Sequence, residues 1–365
     1  MRVLILVDAQ FAVHERALIE RVVVGLAQEG IFTQVVLPKD RGLEESGFDL
    51  IAEPIWYADR GLGLTQRIRA NQVARRVTKD SDEPSGNIDI VHVFGGSAWS
   101  MGRELARALG AGLVLDIWRA GLIDSAKGFH IEASDRATFL VPERSFEAPL
   151  SKAGLGQHVH LAQWGAQVAG EPAQIFRHDK NIAIVLMSSG RQKNICIAAF
   201  EGLADAIADH PSAMIFANVE AVERAGLWAR VLDRDLRDRF TIIDRSEDRR
   251  DLLLRCDLMV YPDTLHEERT LLLDAMGIGM AIIAGNDSHI APIQDSSGTI
   301  LVDRPSRNAW AQRLSSCLSD IEHTRRAGLE SRAYVTKNRR IANYITSIID
   351  AYQAITPDTQ PEESD

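Results

Sequence analysis

The chain has 365 residues, 45% of them hydrophobic, and a formal net charge of −10. That length suits two domains with sizeable cores, and the acidic balance argues against a general nucleic-acid binder, which needs a basic footprint against phosphate. Cys196, Cys256 and Cys317 stand far apart, without CxxC or zinc-like spacing, so they read as reduced thiols rather than a disulfide framework.

The opening "MRVLILVDAQ" carries too short an apolar run for a signal peptide. No apolar run approaches the length that spans a bilayer. The expectation is a soluble, cytoplasmic protein.

Short β-branched runs then alternate with stretches of helical period. "VLILV" (Val3–Val7) reads as a buried strand, His14–Glu29 as a helix and "TQVVL" as a strand. "IDIVHVF" (Ile88–Phe94), a helix over Ser100–Leu109, "GLVLDIW", "ATFLV" and "HVHLA" follow. Runs buried on both faces indicate a parallel sheet covered by helices. Polar Gln167–Lys180, with Gly170 and Pro172, reads as a linker. The alternation then restarts with the strand "NIAIVLM", a helix over Asn194–Asp209, the strand "SAMIFAN" and a helix over Val222–Leu236. "FTIID", "DLMVYP", "MAIIAG" and "GTILVD" complete a second set of strands, and helices at roughly 306–320, 323–334 and 338–354 close the chain. Two doubly wound α/β domains are predicted, 1–170 and 171–335, with a crossover helix at 336–355 and a disordered acidic tail at 356–365.

Residues 1–170 carry 18 Lys and Arg against 21 Asp and Glu, and the remainder 23 against 30, so neither half is basic. The local exception is "RIRANQVARRVTK" (Arg67–Lys79), whose Ile68, Val73 and Val77 fall near one helix face. Such a helix suits peripheral contact with anionic lipid. The plainer alternative is the solvated face of a surface helix.

In open parallel sheets, ligands sit at the carboxyl ends of the strands, where helix N-termini hold phosphate. The loop "MSSGRQKN" (Met187–Asn194) offers Ser188, Ser189 and Gly190 for close backbone approach, with Arg191 and Lys193 at the same helix mouth. That combination suits a diphosphate, and a polar turn with solvated bases is the alternative. "LHEERTLLLDAMGIGMAII" (Leu265–Ile283) places His266, Glu267, Glu268 and Asp274 between a strand and a helix. These groups serve either as acceptors for ribose or sugar hydroxyls or as ordinary acids at a helix start. In the first half, "HVFGGSAWSMG" puts Gly95 and Gly96 after a strand, with Ser97 as a helix cap and His92 inside the strand. "DRD" (Asp233–Asp235), inside a predicted helix, and "DSD" (Asp80–Asp82), in a polar linker, match the DxD of metal-dependent sugar transferases, but neither ends a strand. No His/Cys metal cluster is legible, and no metal is expected.

"DLLLRCDLMVYPDTLHEERTLLLDAMGIGMAII" resembles the retaining family-4 glycosyltransferases of GT-B fold. Asp257, Pro262, Ala275, Met276 and Gly279 fall in that family's register around its Glu-x7-Glu motif. "MSSGRQKNICIAAFEGL" is similar to the family's donor-phosphate loop, and "HVHLAQWGAQV" to the strand before its interdomain crossover. The resemblance covers nearly the whole chain and is more specific in the second half. It implies two facing Rossmann-like domains, an acceptor domain followed by a sugar-nucleotide domain, with C-terminal crossover helices.

The departures fall on substrate-facing positions. His266 and Asp274 stand where the two glutamates are expected, with Glu267 or Glu268 as substitutes. Ser188 stands at the family's arginine, whose charge Arg191 supplies from a displaced position, while Lys193 keeps the lysine's place. "QFAVHER" replaces a Gly-Gly loop, and Trp118, beside Asp116 and Arg119, replaces a histidine. The resemblance implies transfer of a sugar from a nucleotide diphosphate sugar to a glycan or glycoconjugate acceptor in surface polysaccharide assembly, with no cofactor beyond the donor substrate. Lys193, Arg191 and His266 would be catalytic. Ser188, Ser189, Gly190, Glu267, Glu268 and Asp274 would bind donor, and His92, Gly95, Gly96, Ser97 and Trp118 would face the acceptor. The alternative is a catalytically degenerate homologue that acts as a binding or scaffolding partner. A nucleotide-sugar epimerase of the same architecture is a further reading.

Overall fold

A computed structural model describes residues 1–39, 53–58, 66–79, 87–132, 135–168, 170–177, 180–244, 249–267 and 269–356. Glu268, the "DSD" segment and the tail from 357 onward lie outside the described residues.

The chain divides into two units, Met1–Trp164 with the segment from Ile341, and Gly165–Arg340. The first division falls at 164/165, against 170/171 expected from composition, and the second at 340/341, against 335/336. The polar stretch Gln167–Lys180 belongs to the second unit, because buried Asp257 accepts from the backbone N–H of Phe176 at 2.5 Å and of Ala183 at 2.7 Å.

In the first unit, β1 (Arg2–Val7), β2 (Phe32–Pro38), β3 (Ile55–Tyr57), β4 (Ile90–Phe94), β5 (Gly112–Asp116), β6 (Ala137–Val141) and β7 (Val159–Leu161) form one sheet, ordered β3-β2-β1-β4-β5-β6-β7. Every pairing is parallel. The β-branched runs of β4, β5 and β6 are buried at every residue, as a sheet covered on both faces requires. The helices include α1 (Ala9–His14), α2 (Arg16–Gln28), α3 (Gln66–Lys79) and α4 (Trp99–Leu109). The terminal helix Ile341–Ile355 packs against α2, β5 and β6 and buries Tyr344, Ile348 and Tyr352. Phe11 meets Phe94, Trp118 and Trp164 at ring-centroid distances of 5.1, 5.7 and 5.8 Å.

The basic segment is helical, but its apolar face is used. Val73 and Val77 are buried as α3 packs on α4, and Ile68 alone of the three is exposed. The three therefore do not share one free stripe.

In the second unit, β8 (Ala183–Leu186), β9 (Met214–Asn218), β10 (Phe240–Ile243), β11 (Leu258–Tyr261), β12 (Ala281–Gly285) and β13 (Thr299–Val302) pair in the order β10-β9-β8-β11-β12-β13, again all parallel. The order reverses between β8 and β11, and that topological switch point is where open α/β sheets hold ligands. The main covering helices are α5 (Lys193–Ala206), α6 (Val219–Ala225), α7 (Thr270–Gly277), α8 (Arg307–Ser319) and α9 (Ile321–Asn338). Cys196, Phe200 and Leu203 on α5 meet Trp310 and Leu314 on α8 in the core between them. The single helix expected over Val222–Leu236 is two, because Gly226 turns left-handed at φ 71° between Val219–Ala225 and Leu227–Asp233. Asp233 thus ends a helix and Asp235 lies beyond it, so "DRD" is not inside one.

Candidate functional site

The site in the second unit is built from two adjacent strand ends. After β8 the chain turns through Met187–Gln192 into α5, and after β11 it runs through Pro262–Arg269 into α7. Asp263 ties the two loops together. Its carboxylate accepts from Ser188 Oγ at 2.5 Å and from the Ser189 N–H at 2.6 Å. Gln192 and Thr264 add a second tie, with the Thr264 N–H donating to Gln192 Oε1 at 2.8 Å and Gln192 Nε2 donating to Thr264 Oγ1 at 3.1 Å. On the other flank, Asn218 at the end of β9 accepts from the Ser188 N–H at 2.9 Å and donates to the Ser188 carbonyl at 2.7 Å.

Gly190 is required where it stands. Its φ is +68°, and a Cβ there would lie 2.6 Å from the Glu220 carbonyl oxygen and 2.8 Å from Arg224 Cβ. The loop therefore lies against α6, and Arg224 Nη1 donates to the Ser189 carbonyl at 3.1 Å.

The serine–glycine loop does not present its N–H groups as the sequence suggested. Ser188 and Ser189 donate to Asn218 and Asp263, the Gly190 N–H donates to Ser188 Oγ at 3.1 Å, and the Arg191 N–H donates to Ser189 Oγ at 3.3 Å. What remains for an anion is the start of α5, whose N-cap, Gln192, makes no side-chain cap hydrogen bond. Lys193 opens that helix, is exposed, and forms no ion pair among the described residues.

Arg191 and Glu267 pair with each other across the two loops. In this state the cation assigned to phosphate and the acid assigned to sugar neutralise one another. Asp274 lies on α7, whose first turn carries no acid; it is 4% exposed and engaged in contacts of its own. It is not an open acceptor at a helix mouth, because the helix starts at Thr270 and turns position 274 inward. Glu268 lies outside the described residues.

His266 departs furthest from expectation. Its backbone is left-handed, φ 56°, a conformation in which non-glycine residues are uncommon. Asp287, buried in the loop after β12, holds it there, accepting from the His266 N–H at 2.7 Å and meeting His266 Nδ1 at 2.6 Å. The His289 N–H donates to the same carboxylate at 3.1 Å, and the two imidazole centroids are 3.8 Å apart. Two imidazoles and a carboxylate thus stand together where the sequence showed no cluster, because they come from the loops after β11 and β12.

In the first unit, the acceptor-side assignments of His92 and Trp118 do not hold. Both side chains are buried, at 0% and 1% exposure. His92 Nδ1 lies 2.7 Å from Tyr352 Oη, and burial pushes its pKa down to about 3, so the ring is neutral. Asp116 is buried, and desolvation holds its carboxyl well above the ordinary carboxylate range.

Gly95, Gly96 and Ser97 do sit at the switch point of this sheet, between β1 and β4, but Asp8 fills it. Asp8 caps α1 through the Phe11 N–H at 2.8 Å and accepts from Ser97 Oγ at 3.0 Å. Ser97 is therefore no helix cap; α4 is preceded by Ala98 without a side-chain cap. Gly95 has φ +96°, and a Cβ there would lie 2.1 Å from Asp8 Cγ. Burial raises the Asp8 carboxyl above its ordinary value, against hydrogen bonds from Phe11 and Ser97 that lower it.

Sequence reasoning missed Asp8, Asn218, Asp263, Asp287 and His289. Asp8, Asn218, Asp263 and Asp287 were accessible to the carboxyl-end rule, since each stands within two residues of a strand's C-terminus. The pairing of Asp287 and His289 with His266 carried no signal in linear spacing.

No family model matches the chain, and no curated protein matches it by sequence. Solved structures do match in fold. HepE of Anabaena, crystallised with UDP and glucose, superposes with a TM-score of 0.72 at 12% identity, over 97% of this chain and 99% of that one. Sucrose-phosphate synthase of Thermosynechococcus elongatus gives 0.70 at 15% identity, over 97% and 98%. A putative UDP-N-acetylglucosamine 2-epimerase of Listeria monocytogenes gives 0.61 at 15% identity, over 97% and 96%. At these identities the likeness shows the fold: the chain has the GT-B fold of the glycosyltransferases, which the epimerase shares.

Proposed function

We propose that the second unit binds the diphosphate of a nucleotide sugar and that the protein transfers the sugar to a glycan or glycoconjugate acceptor, with retention of configuration. The observation that carries this reading is the start of α5. An uncapped N-terminus of a 14-residue helix, at the switch point of a parallel sheet, carries a lysine with no ion pair among the described residues. Backbone N–H groups and the helix dipole favour an anion there, and Lys193 adds a full charge. HepE, of the same fold, was crystallised with UDP and with glucose, which agrees with a uridine nucleotide as the ligand class.

Transfer breaks the bond between the anomeric carbon and the β-phosphate oxygen, so negative charge grows on the leaving diphosphate. Lys193 Nζ offsets that charge as it develops. Arg191 joins it when the incoming phosphate competes with Glu267, and the released Glu267 accepts from donor hydroxyls. The first unit carries the acceptor, and no cofactor beyond the donor takes part. Exposed Arg67, Arg75 and Arg76 on α3 bring the protein to anionic lipid, where lipid-linked acceptors reside.

A second reading is favoured by the pairing of Arg191 with Glu267 and by the burial of Asp274. In it the unit binds a nucleotide sugar without transferring from it. Incubation with a panel of nucleotide sugars and lipid-linked glycan acceptors separates the two. Release of nucleoside diphosphate with a glycosylated product supports transfer. Donor binding without turnover supports the second reading, and a nucleotide sugar recovered as its epimer contradicts both.

A further inference from the structure

We propose that His266, Asp287 and His289 form a binding site for a divalent transition-metal ion of the Zn2+ and Co2+ class at the carboxyl ends of β11 and β12. The inference goes beyond the donor-site reading and does not rest on it. One ligand atom from each of the three residues lies within 4.8 Å of the others. Asp287 Oδ1 is 2.6 Å from His266 Nδ1 and 4.0 Å from His289 Nδ1. Bonds of about 2.0–2.1 Å to a tetrahedral ion put ligand atoms roughly 3.3 Å apart. The pair at 2.6 Å opens slightly, and the longer separations close by about 1.5 Å or less.

The side chains can make that adjustment. Those of His266 and His289 are 39% and 42% exposed, so their rings turn without disturbing a core, while the Asp287 side chain is fixed at 2% exposure. Asp287 accepts three hydrogen bonds, from the His266 N–H, the His266 ring and the His289 N–H. A carboxylate offers about four acceptor sites, and the ring bond yields its site when the ion takes the place of the shared proton. The two backbone bonds stay and orient the carboxylate, as outer hydrogen bonds do around metal ligands.

Chemistry selects the ion. Two imidazoles and one carboxylate suit zinc, cobalt, nickel or ferrous iron, whereas magnesium and calcium take oxygen. Three protein ligands leave at least one position for water or for an oxygen of a bound solute, the pattern of open rather than structural sites. His266 adjoins Glu267, the partner of Arg191 in the loop before α5, so the cluster neighbours the proposed donor site. The left-handed backbone at His266 fits this role, since backbone strain is retained where a side chain must be aimed.

The test is titration of untagged, chelator-treated full-length protein with CoCl2 and ZnCl2 alone, without nucleotide, read by calorimetry and by the visible absorption of bound Co2+. One saturating equivalent is expected. His289→Ala and His266→Gly should each weaken binding at least about tenfold, and His323→Ala, outside the cluster, should not. Glycine at 266 takes the left-handed backbone without steric cost, and neither ring is buried, so both variants should fold with unchanged circular dichroism. Absence of saturable one-equivalent binding overturns the proposal, as does affinity unchanged in both cluster variants. Because nucleotide is left out, failure here leaves the donor-site reading standing, and failure to bind nucleotide leaves this one standing.

Discussion

Ser188 Oγ donates to Asp263 Oδ1 at 2.5 Å, joining the first loop of the second unit to the loop of the neighbouring strand across the point where the sheet reverses. Position 188 is where the resemblance places an arginine that meets donor phosphate. Here the side chain is short, 4% exposed and turned onto an acid. Removing that acid strands two donors, Ser188 Oγ and the Ser189 N–H, in a buried setting. Asp263→Ala is therefore expected to lower the unfolding free energy by about 3–6 kcal/mol, from two hydrogen bonds to a charged acceptor. Ser188→Ala removes one of those bonds and also the acceptor of the Gly190 N–H, so it should cost about 2–4 kcal/mol. Urea denaturation checks both, and an Asp263→Ala variant as stable as wild type would mean that these ties between the two loops contribute nothing.

Gly190 is the second constraint on this loop. Alanine there must hold φ near +68° and bring its Cβ to 2.6 Å from the Glu220 carbonyl. The left-handed conformation alone costs about 1–2 kcal/mol, and the clash moves the loop off α6. Gly190→Ala should lower the thermal midpoint and weaken nucleotide binding together. A midpoint equal to wild type would show that the loop accommodates a side chain at no cost.

The folds of both units were largely legible in the sequence, because strands buried on both faces announce themselves as unbroken runs such as "VLILV" and "MAIIAG". The site was legible in position but not in state. Local sequence placed Lys193, Arg191 and Glu267 just after strands, where they stand, yet carried nothing about Arg191 turning to Glu267 across 76 residues of chain. His92 and Trp118 misled for the opposite reason. A histidine in a strand and a tryptophan after one read alike whether they face solvent or core, and here aromatic packing and the Tyr352 hydroxyl decide it.

The pair formed by Arg191 and Glu267 makes a directional prediction. Glu267→Gln removes a buried charge that holds the guanidinium and repels phosphate. If a diphosphate docks at the start of α5, nucleotide affinity should rise on the order of tenfold, about 1.4 kcal/mol. Calorimetry with the nucleoside diphosphate reads this directly. Weaker binding would mean that Arg191 does not turn to the diphosphate when Glu267 is neutralised.

Two buried groups in the first unit set opposite pH dependences. Desolvation holds Asp116 well above its ordinary value of 3.8. The unfolded chain therefore loses that proton first as pH rises, and stability falls above about pH 4. His92, lowered to about 3 from 6.5, acts the other way: the unfolded chain takes up the proton first as pH falls, and stability drops below 6.5. Asp116→Asn should be more stable than wild type near pH 7, with the gain shrinking toward pH 4 and the acid-side loss retained. Denaturation midpoints from pH 4 to 8 test this, and a pH-independent difference would show that Asp116 stays ionised in the fold.

The central claim is that Lys193 and the uncapped start of α5 hold a nucleotide diphosphate. Calorimetric titration with UDP, UDP-glucose, UDP-N-acetylglucosamine and the corresponding ADP and GDP sugars, on wild type and on Lys193→Ala, tests it most directly. The account predicts saturable one-to-one binding of at least one of these ligands, weakened about tenfold or more in the variant. No binding across the panel, or equal affinity with and without the lysine, would contradict it.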